Sequence, residues 1–202
     1  MRRGTTSGKF GIVNKDIRSF SRPPVTRRTF LRGAGLAAVG IGAAHRTLAL
    51  GERRELSFIH THTGEHLTAL YYDAGAYCPA VLTRVNELLR DFRTETVFPI
   101  DPKALDRLYA LQAVTGRREP FEIICGYRSP LTNAALRLHS HGVAEHSLHM
   151  QGRAIDARLQ GYPTNQLAAL ARAQLSGGTG FYRVSDFIHV DTGAVRIWGD
   201  SI

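Results

Sequence analysis

The 202-residue chain has few cysteines and no long hydrophobic run. Its two cysteines, Cys78 and Cys125, allow at most one disulfide, and two buried free thiols fit the sequence equally well, because the distance between their Cα atoms is not known. The apolar run of residues 33–44 is too short for a membrane span, which needs about 20 residues. The chain also lacks a Gly-Lys-Thr phosphate loop, a dinucleotide-binding glycine pattern and a Gly-x-Ser-x-Gly elbow, so the sequence indicates none of those enzyme classes.

The formal charge of +9 is confined to the N-terminal part of the chain. Residues 1–49 hold ten Lys or Arg and one acidic residue, whereas residues 50–202 hold sixteen of each and have no net charge. Nucleic-acid-binding domains carry an excess of basic residues that neutralise phosphates. We therefore expect no nucleic-acid partner for residues 50–202.

Residues 1–49 have the pattern of an export leader. Thr26-Arg27-Arg28-Thr29-Phe30-Leu31-Arg32 is a twin-arginine pattern, and a mild apolar run follows it. The pattern predicts a small-residue cleavage site after Ala49, with Thr47 at the −3 position. The leader predicts export by the twin-arginine machinery and a periplasmic location, with the leader either cleaved or kept as an anchor. A disordered basic arm that binds nucleic acid is the less favoured alternative.

Residues 50–202 are enough for one domain with its own core. Alternating and helical hydrophobic patterns predict two strands between Leu56 and Tyr72, helices that begin near Pro79 and at Asp101-Pro102, a strand over Phe121–Cys125 and a helix capped by Ser129-Pro130. A helix over residues 163–175, a tight turn over Gly177–Gly180 and short strands near residues 181–184, 187–191 and 195–198 follow. This order predicts an α+β fold with a small antiparallel sheet flanked by helices.

A candidate metal site is centred on residues 147–156. His149 and Asp156 are seven positions apart, and a helix would separate them by about 10 Å along its axis. That is too far for two ligands that each lie about 2 Å from one ion, and Gly152 also disfavours a helix. We therefore place His149 on a loop and Asp156 on the strand that follows. His189, in an alternating strand-like segment, is the third candidate ligand.

Two imidazoles and one carboxylate suit Zn²⁺ and leave a fourth position for water. Bound zinc lowers the pKa of that water and polarises a carbonyl group, and a nearby carboxylate can accept the proton. Asp186 and Asp191 are both candidates for this base, and Asp191 can instead orient His189. Spacing alone leaves other ligands open, namely His139, His141, His146, Cys78 and Cys125.

Several of these segments resemble the murein endopeptidase K family. The similar motifs are Cys125-Gly-Tyr-Arg-Ser-Pro130, Gly142-Val-Ala144, Ser147-Leu-His-Met150, Ala154-Ile-Asp156, Phe187-Ile-His-Val-Asp-Thr-Gly193 and Arg196-Ile-Trp198. The resemblance extends over residues 54–199, and the family is related to the M15 zinc D,D-peptidases. It implies a hedgehog/D-Ala-D-Ala peptidase-like fold, with His149, Asp156 and His189 as the Zn²⁺ ligands. Cys125 departs from the small residue, such as serine, that the family has there.

The resemblance also implies a substrate and further site residues. Arg128 matches the arginine that contacts substrate near the scissile bond, and Ser147 matches the serine of a Ser-x-His motif. M15 peptidases place an acid where Asp186 lies, whereas the His-x-Asp motif of the closer family favours Asp191.

Our sequence-based hypothesis is a monomeric periplasmic zinc endopeptidase that cuts peptide cross-links of peptidoglycan, at D-Ala–diaminopimelate and also at diaminopimelate–diaminopimelate bonds. Arg128 would bind a substrate carboxylate or carbonyl, and Ser147 and His146 would line the site. Two alternatives are a D,D- or L,D-carboxypeptidase and a non-catalytic zinc-containing domain that binds wall peptides.

Overall fold

The computed structural model describes residues 52–139 and 142–201. Within these residues the chain forms four α-helices, one 3-10 helix and eight β-strands. The helices are α1 (Pro79–Leu88), α2 (Pro102–Thr115), α3 (Pro130–His139), the 3-10 helix (Leu148–Gln151) and α4 (Thr164–Ala173). The strands are β1 (Arg54–His60), β2 (His66–Asp73), β3 (Ala76–Tyr77), β4 (Phe121–Cys125), β5 (Ala154–Leu159), β6 (Gly178–Tyr182), β7 (Phe187–Asp191) and β8 (Arg196–Gly199).

All eight strands belong to one sheet, in the order β3-β2-β1-β4-β5-β7-β6-β8. Most neighbours are antiparallel, but β1 and β4 are parallel, as are β6 and β8. The connection from β1 to its parallel neighbour β4 runs through β2, β3 and two helices, which is long enough to return the chain to the edge where β1 began. The α+β prediction is therefore confirmed, but the sheet is larger than predicted and not purely antiparallel.

Local sequence signals set the helix ends as expected. The side chain of Asp101 accepts a hydrogen bond from the backbone N–H of Lys103 at the start of α2, and Gly116 ends this helix in the left-handed conformation. The hydroxyl of Ser129 accepts from the N–H of Thr132 at the start of α3. Helices α2 and α4 contact each other and the central strands, and together they cover a core of buried aliphatic and aromatic side chains.

The predicted tight turn over Gly177–Gly180 is wrong, because β6 already begins at Gly178. These glycines make room for side chains of β8. A Cβ atom on Gly180 would lie 2.7 Å from the ring of Trp198, and one on Gly178 would lie 2.7 Å from the guanidinium of Arg196. Glycines in a strand interior can mark such close approaches as well as turns.

The described residues contain no helix that is both long and apolar enough to cross a membrane. The predicted twin-arginine leader and its cleavage site after Ala49 lie outside the described residues.

Gly152 and Gly161 provide a matched test of the packing around the 3-10 helix. Both have positive φ (+64° and +69°), but a Cβ on Gly152 would lie 2.0 Å from the carbonyl oxygen of Pro99, whereas nothing lies within 4 Å of one on Gly161. We expect Gly161→Ala to cost about 1 kcal/mol of unfolding free energy for the backbone conformation. Gly152→Ala should cost about 1–3 kcal/mol more, because of the overlap with Pro99. Urea denaturation measures both, and equal losses would contradict the packing of Pro99 over Gly152.

Candidate metal centre

The strand register brings the site residues into one row across the sheet. Asp156 in β5 is directly opposite His189 in β7, and on its other side it is opposite Cys125 in β4. Directly opposite residues project from the same face of a sheet. The row continues through Gly180 to Trp198, so the absent side chain at Gly180 lets Trp198 approach His189, with ring centroids 5.0 Å apart.

His149 reaches this row from the 3-10 helix. The hydroxyl of Ser147 accepts a hydrogen bond from the N–H of His149 at the start of this helix, and Gly152 ends it in the left-handed conformation. The carbonyl oxygen of His149 accepts from the N–H of Arg128, which ties the 3-10 helix to the turn before α3. His149 thus lies in a loop with one helical turn, and Asp156 lies in the following strand.

Three residues bring donor atoms together at one point. His149 Nε2 and His189 Nδ1 are 3.2 Å apart, His189 Nδ1 and Asp156 Oδ1 are 2.8 Å apart, and His149 Nε2 and Asp156 Oδ2 are 3.2 Å apart. A tetrahedral zinc ion with bonds of about 2.0–2.1 Å separates its ligand atoms by roughly 3.3 Å. All three residues are buried. Their side chains therefore fit a zinc ion with little rearrangement.

The second nitrogen of each ring is fixed by a hydrogen bond. His149 Nδ1 lies 2.7 Å from the carbonyl oxygen of Gly126, and His189 Nε2 lies 2.9 Å from Asp191 Oδ2. With a metal ion bound, each of these nitrogens would donate, which would leave a lone pair on the nitrogen that faces Asp156 in both rings. Metal-bound histidines in proteins are held in this way, by a carbonyl or carboxylate behind the ring.

The charge of Asp156 dominates the electrostatics of the cluster. Burial alone would raise the pKa of Asp156, but the neighbouring imidazole of His149 and the hydrogen bonds from both histidines hold this pKa well below its usual range. Burial would likewise lower the pKa of His149, but the Asp156 carboxylate outweighs it and raises this pKa to about 10. The site therefore attracts a positive charge, and a metal ion bound there must displace a proton from His149.

Asp191 is fully buried and surrounded by donors. Its carboxylate accepts hydrogen bonds from the backbone N–H groups of Gly178 and Gly193 and from Arg196, in addition to His189. Burial would raise the pKa of Asp191, but the hydrogen bonds from His189 and Gly193 lower it below its usual range. This arrangement occupies the carboxylate and fixes the ring of His189, as expected of an orienting residue.

The structure does not bring Asp186 to the donor cluster. Asp186 lies in the turn between β6 and β7 with φ of +53°, and its carboxylate is 3.6 Å from Arg158 Nη1. It lines a different surface pocket, with Thr164 and Arg183. Asp186 lies in a turn rather than in a strand, so its side chain does not follow the alternation of β7. Its spacing from His189 in the sequence therefore could not predict which way this side chain points.

The predicted substrate-binding residues lie around a cavity of about 390 Å³ above the cluster. Arg128, His146 and Ser147 line it, and Ser147 also caps the 3-10 helix. Arg128 Nη2 is 3.7 Å from Asp156 Oδ2. His141 lies outside the described residues, and Cys78 and Cys125 are free thiols.

Sequence reasoning missed two charged residues that hold the site in place. Arg107 of α2 is buried and donates to the carbonyl oxygens of Gly178 and Asp191 and to the hydroxyl of Thr179. Its signal was an arginine among the buried leucines of α2. Arg196 binds Asp191 through both guanidinium nitrogens and also lines the cavity.

Asp91 is a third missed residue, and it positions Arg128. Its buried carboxylate accepts hydrogen bonds from the backbone N–H groups of Ser129 and Arg93. Burial would raise the pKa of Asp91, but the hydrogen bonds from Ser129 and Thr132 outweigh it and lower this pKa to about 2. Asp91 thereby anchors the turn that carries Arg128.

Three buried ligands, an orienting carboxylate and an arginine beside an open cavity define a candidate metal-dependent hydrolase. Comparison with known families supports this class. The model of the family Peptidase_M15_2, described as peptidoglycan L,D-endopeptidase MepK, matches residues 49–198. This chain therefore belongs to the MepK family of M15 peptidases, which confirms the resemblance found in the sequence.

Individual relatives agree with the family model. The peptidoglycan L,D-endopeptidase MepK of Escherichia coli strain K12 is 38% identical over 169 residues, which cover 81% of this chain and 93% of the relative. The probable peptidoglycan L,D-endopeptidase MepK of Haemophilus influenzae is 43% identical over 146 residues, which cover 72% of this chain and 78% of the relative.

Asp191 and Asp186 should affect metal binding differently. We expect Asp191→Asn to raise the zinc dissociation constant about 10–100-fold, because the ring of His189 loses its carboxylate partner. Asp186→Asn is the matched control, since Asp186 contacts Arg158 rather than a ligand, and it should change the constant less than twofold. Competition with a chromophoric chelator measures both constants. An equal effect of the two variants would rule out the orienting role of Asp191.

The depressed pKa of Asp91 makes a prediction about acid stability. A carboxylate whose pKa is lower in the folded than in the unfolded state stabilises the fold above its unfolded value and loses this contribution as the pH falls. The unfolding free energy of the native chain should thus decrease by about 2 kcal/mol from this group between pH 4 and 2. Asp91→Asn should be less stable at neutral pH and should lack this part of the decrease. Asp73→Asn, at a half-exposed position whose carboxylate pairs with Arg53, should keep this part of the decrease. Urea denaturation of the three proteins at several pH values measures it.

Proposed function

We propose that this protein is a zinc-dependent endopeptidase that hydrolyses peptide cross-links of peptidoglycan. The observation that carries the proposal is the convergence of His149 Nε2, Asp156 and His189 Nδ1 beneath an open cavity. The names of the relatives supply the substrate class, since those proteins are peptidoglycan L,D-endopeptidases.

The ligand set favours zinc over harder cations. Two imidazoles and one carboxylate suit zinc, whereas magnesium and calcium prefer an all-oxygen set. Zinc held by His149, Asp156 and His189 would act as a Lewis acid on the scissile carbonyl and would lower the pKa of a water ligand. The surrounding chain keeps both rings oriented through Gly126 and Asp191.

Arg128 and Arg196 line the cavity, and Arg128 offers a guanidinium that suits an anionic peptide. Cross-linked stem peptides carry free carboxylates next to the bonds to be cut. Arg128 lies at the turn before α3, and its guanidinium is close to the ligand cluster, so it is placed to bind the scissile carbonyl or the carboxylate beside it. Arg196 is already paired with Asp191, and its main role is to hold that carboxylate.

We infer the preferred bond from its stereochemistry and from the names of the relatives. A D-Ala–diaminopimelate bond joins two D-centres, whereas a diaminopimelate–diaminopimelate bond joins an L-centre to a D-centre. The relatives are named L,D-endopeptidases. We therefore rank the diaminopimelate–diaminopimelate bond first and the D-Ala–diaminopimelate bond second.

The proton acceptor must lie at the mouth of the cavity. Asp191 is occupied by four hydrogen-bond donors and is better suited to orient His189. His146 lines the cavity, and Asp186 lies between the lining residues Ser185 and Phe187. We assign the base to His146 or Asp186, and Asp186 would have to leave its contact with Arg158 to reach the cavity. His146→Ala and Asp186→Asn separate the two candidates, because only the variant that lacks the base should lose the pH dependence of kcat.

The cellular setting completes the proposal. The twin-arginine pattern of residues 26–32 supports export to the periplasm, where the cross-links are found. We further propose a monomer with the hedgehog/D-Ala-D-Ala peptidase-like arrangement.

A digestion experiment tests the function. Purified cross-linked muropeptide dimers of both linkage types are incubated with the full chain in zinc, and products are identified by mass. We expect monomers from the native protein, none after chelation, and at least a ~10³-fold slower reaction for His189→Ala, because one of three ligands is lost. His66→Ala, an exposed histidine on β2, is the matched control and should behave like the native chain.

The same experiment separates the alternatives. Release of a terminal D-amino acid from uncross-linked peptides, with intact dimers, would identify a carboxypeptidase in which Arg128 clamps a C-terminal carboxylate. Intact dimers and intact peptides, together with one bound zinc per chain, would instead identify a binding domain.

A further inference from the structure

Cys125 lies in β4, directly opposite the candidate metal ligand Asp156 in β5. The β4–β5 pairing matches Ile123 with Ala157 and then Cys125 with Asp156, so Ile124 is an extra residue in β4. In an unbroken ladder Ile124 would face Asp156, but the bulge places Cys125 there. Bulges next to active sites commonly re-aim one side chain in this way.

The sulfur atom is within reach of the same metal position. Cys125 Sγ, a ring nitrogen of His149 and a carboxylate oxygen of Asp156 all lie within 4.8 Å of one another. Cysteine has a single side-chain torsion between its backbone and its sulfur, so a small rotation changes these distances. Cys125 forms no disulfide that would remove its sulfur from use.

Arg128 provides a charged partner for this sulfur. Its Nη2 atom donates to Cys125 Sγ at 3.5 Å and lies 3.7 Å from Asp156 Oδ2. A thiolate at position 125 is therefore compensated whether it binds a cation or only faces the guanidinium. Thiolates are strong zinc ligands, with a Zn–S distance of about 2.3 Å.

We propose that Cys125 is a fourth protein ligand of the zinc ion in the resting enzyme. Four protein donors then close the tetrahedral site, and the sulfur must leave before substrate or water can take its place. Zinc binding releases the thiol proton, and the displaced thiolate pairs with Arg128. The inference rests on the proposed zinc site and adds a closed resting state to it.

Cobalt substitution tests this ligand directly. The full chain is stripped of metal and reloaded with one equivalent of Co²⁺ as the native protein, Cys125→Ser, Cys125→Ala and Cys78→Ser. We expect a near-ultraviolet sulfur-to-cobalt charge-transfer band in the native protein and in Cys78→Ser, the matched control at the start of α1. Both Cys125 variants should lack the band and bind zinc at least ~10-fold more weakly. X-ray absorption of the zinc form should show one Zn–S distance of about 2.3 Å in the native protein.

The outcomes separate this proposal from the proposed function. One bound metal per chain without a sulfur signal in the native protein would overturn the role of Cys125 and leave the three-ligand site intact. A sulfur signal that persists in both Cys125 variants would also overturn it. Failure of the native protein to bind metal would overturn both proposals.

Discussion

The carboxylate of Asp156 lies within the sheet, 5% exposed, and its charge must be balanced there. A buried charge without partners is far more costly than one that is paired and hydrogen-bonded. Two imidazoles and the guanidinium of Arg128 surround this carboxylate. The two imidazoles that balance the charge of Asp156 are also the nitrogen ligands that a zinc ion requires. The same residues therefore stabilise the buried carboxylate and form the candidate metal site.

The arrangement depends on strand register and on what lies behind each ligand. A shift of one residue between β5 and β7 would turn His189 to the opposite face and remove it from Asp156. Arg107 opposes such a shift, because it binds the backbone of β6 and β7 beside the site. Asp191 then fixes the ring of His189, and the carbonyl of Gly126 fixes the ring of His149. The ligands are thus held by several elements that are distant in sequence.

Much of the fold and the ligand set can be predicted from the sequence. Local signals suffice for the ends of α2, where Asp101 and Gly116 act as caps, and hydrophobic patterns suffice for β4 and β7. Strand β5 was instead predicted from the short distance that two ligands of one metal ion require. The prediction of His149, Asp156 and His189 depended on residue chemistry and motif resemblance, and the structure places all three together. The turn predicted over Gly177–Gly180 was wrong because glycine there serves packing with β8, which no local rule shows. The roles of Asp91 and Arg107 were missed for a related reason, because tertiary contacts set them. Asp186 was predicted as a candidate base, but its direction is set by a turn that departs from strand alternation.

The central claim is that one zinc ion is held by His149 Nε2, Asp156 and His189 Nδ1. Anomalous diffraction at the zinc absorption edge, from crystals of protein loaded with one equivalent of zinc, tests it most directly. We predict a single peak about 2.0–2.2 Å from each of these three donors. A peak elsewhere, or one bound through Nε2 of His189 with Asp191 displaced, would contradict this account of the site.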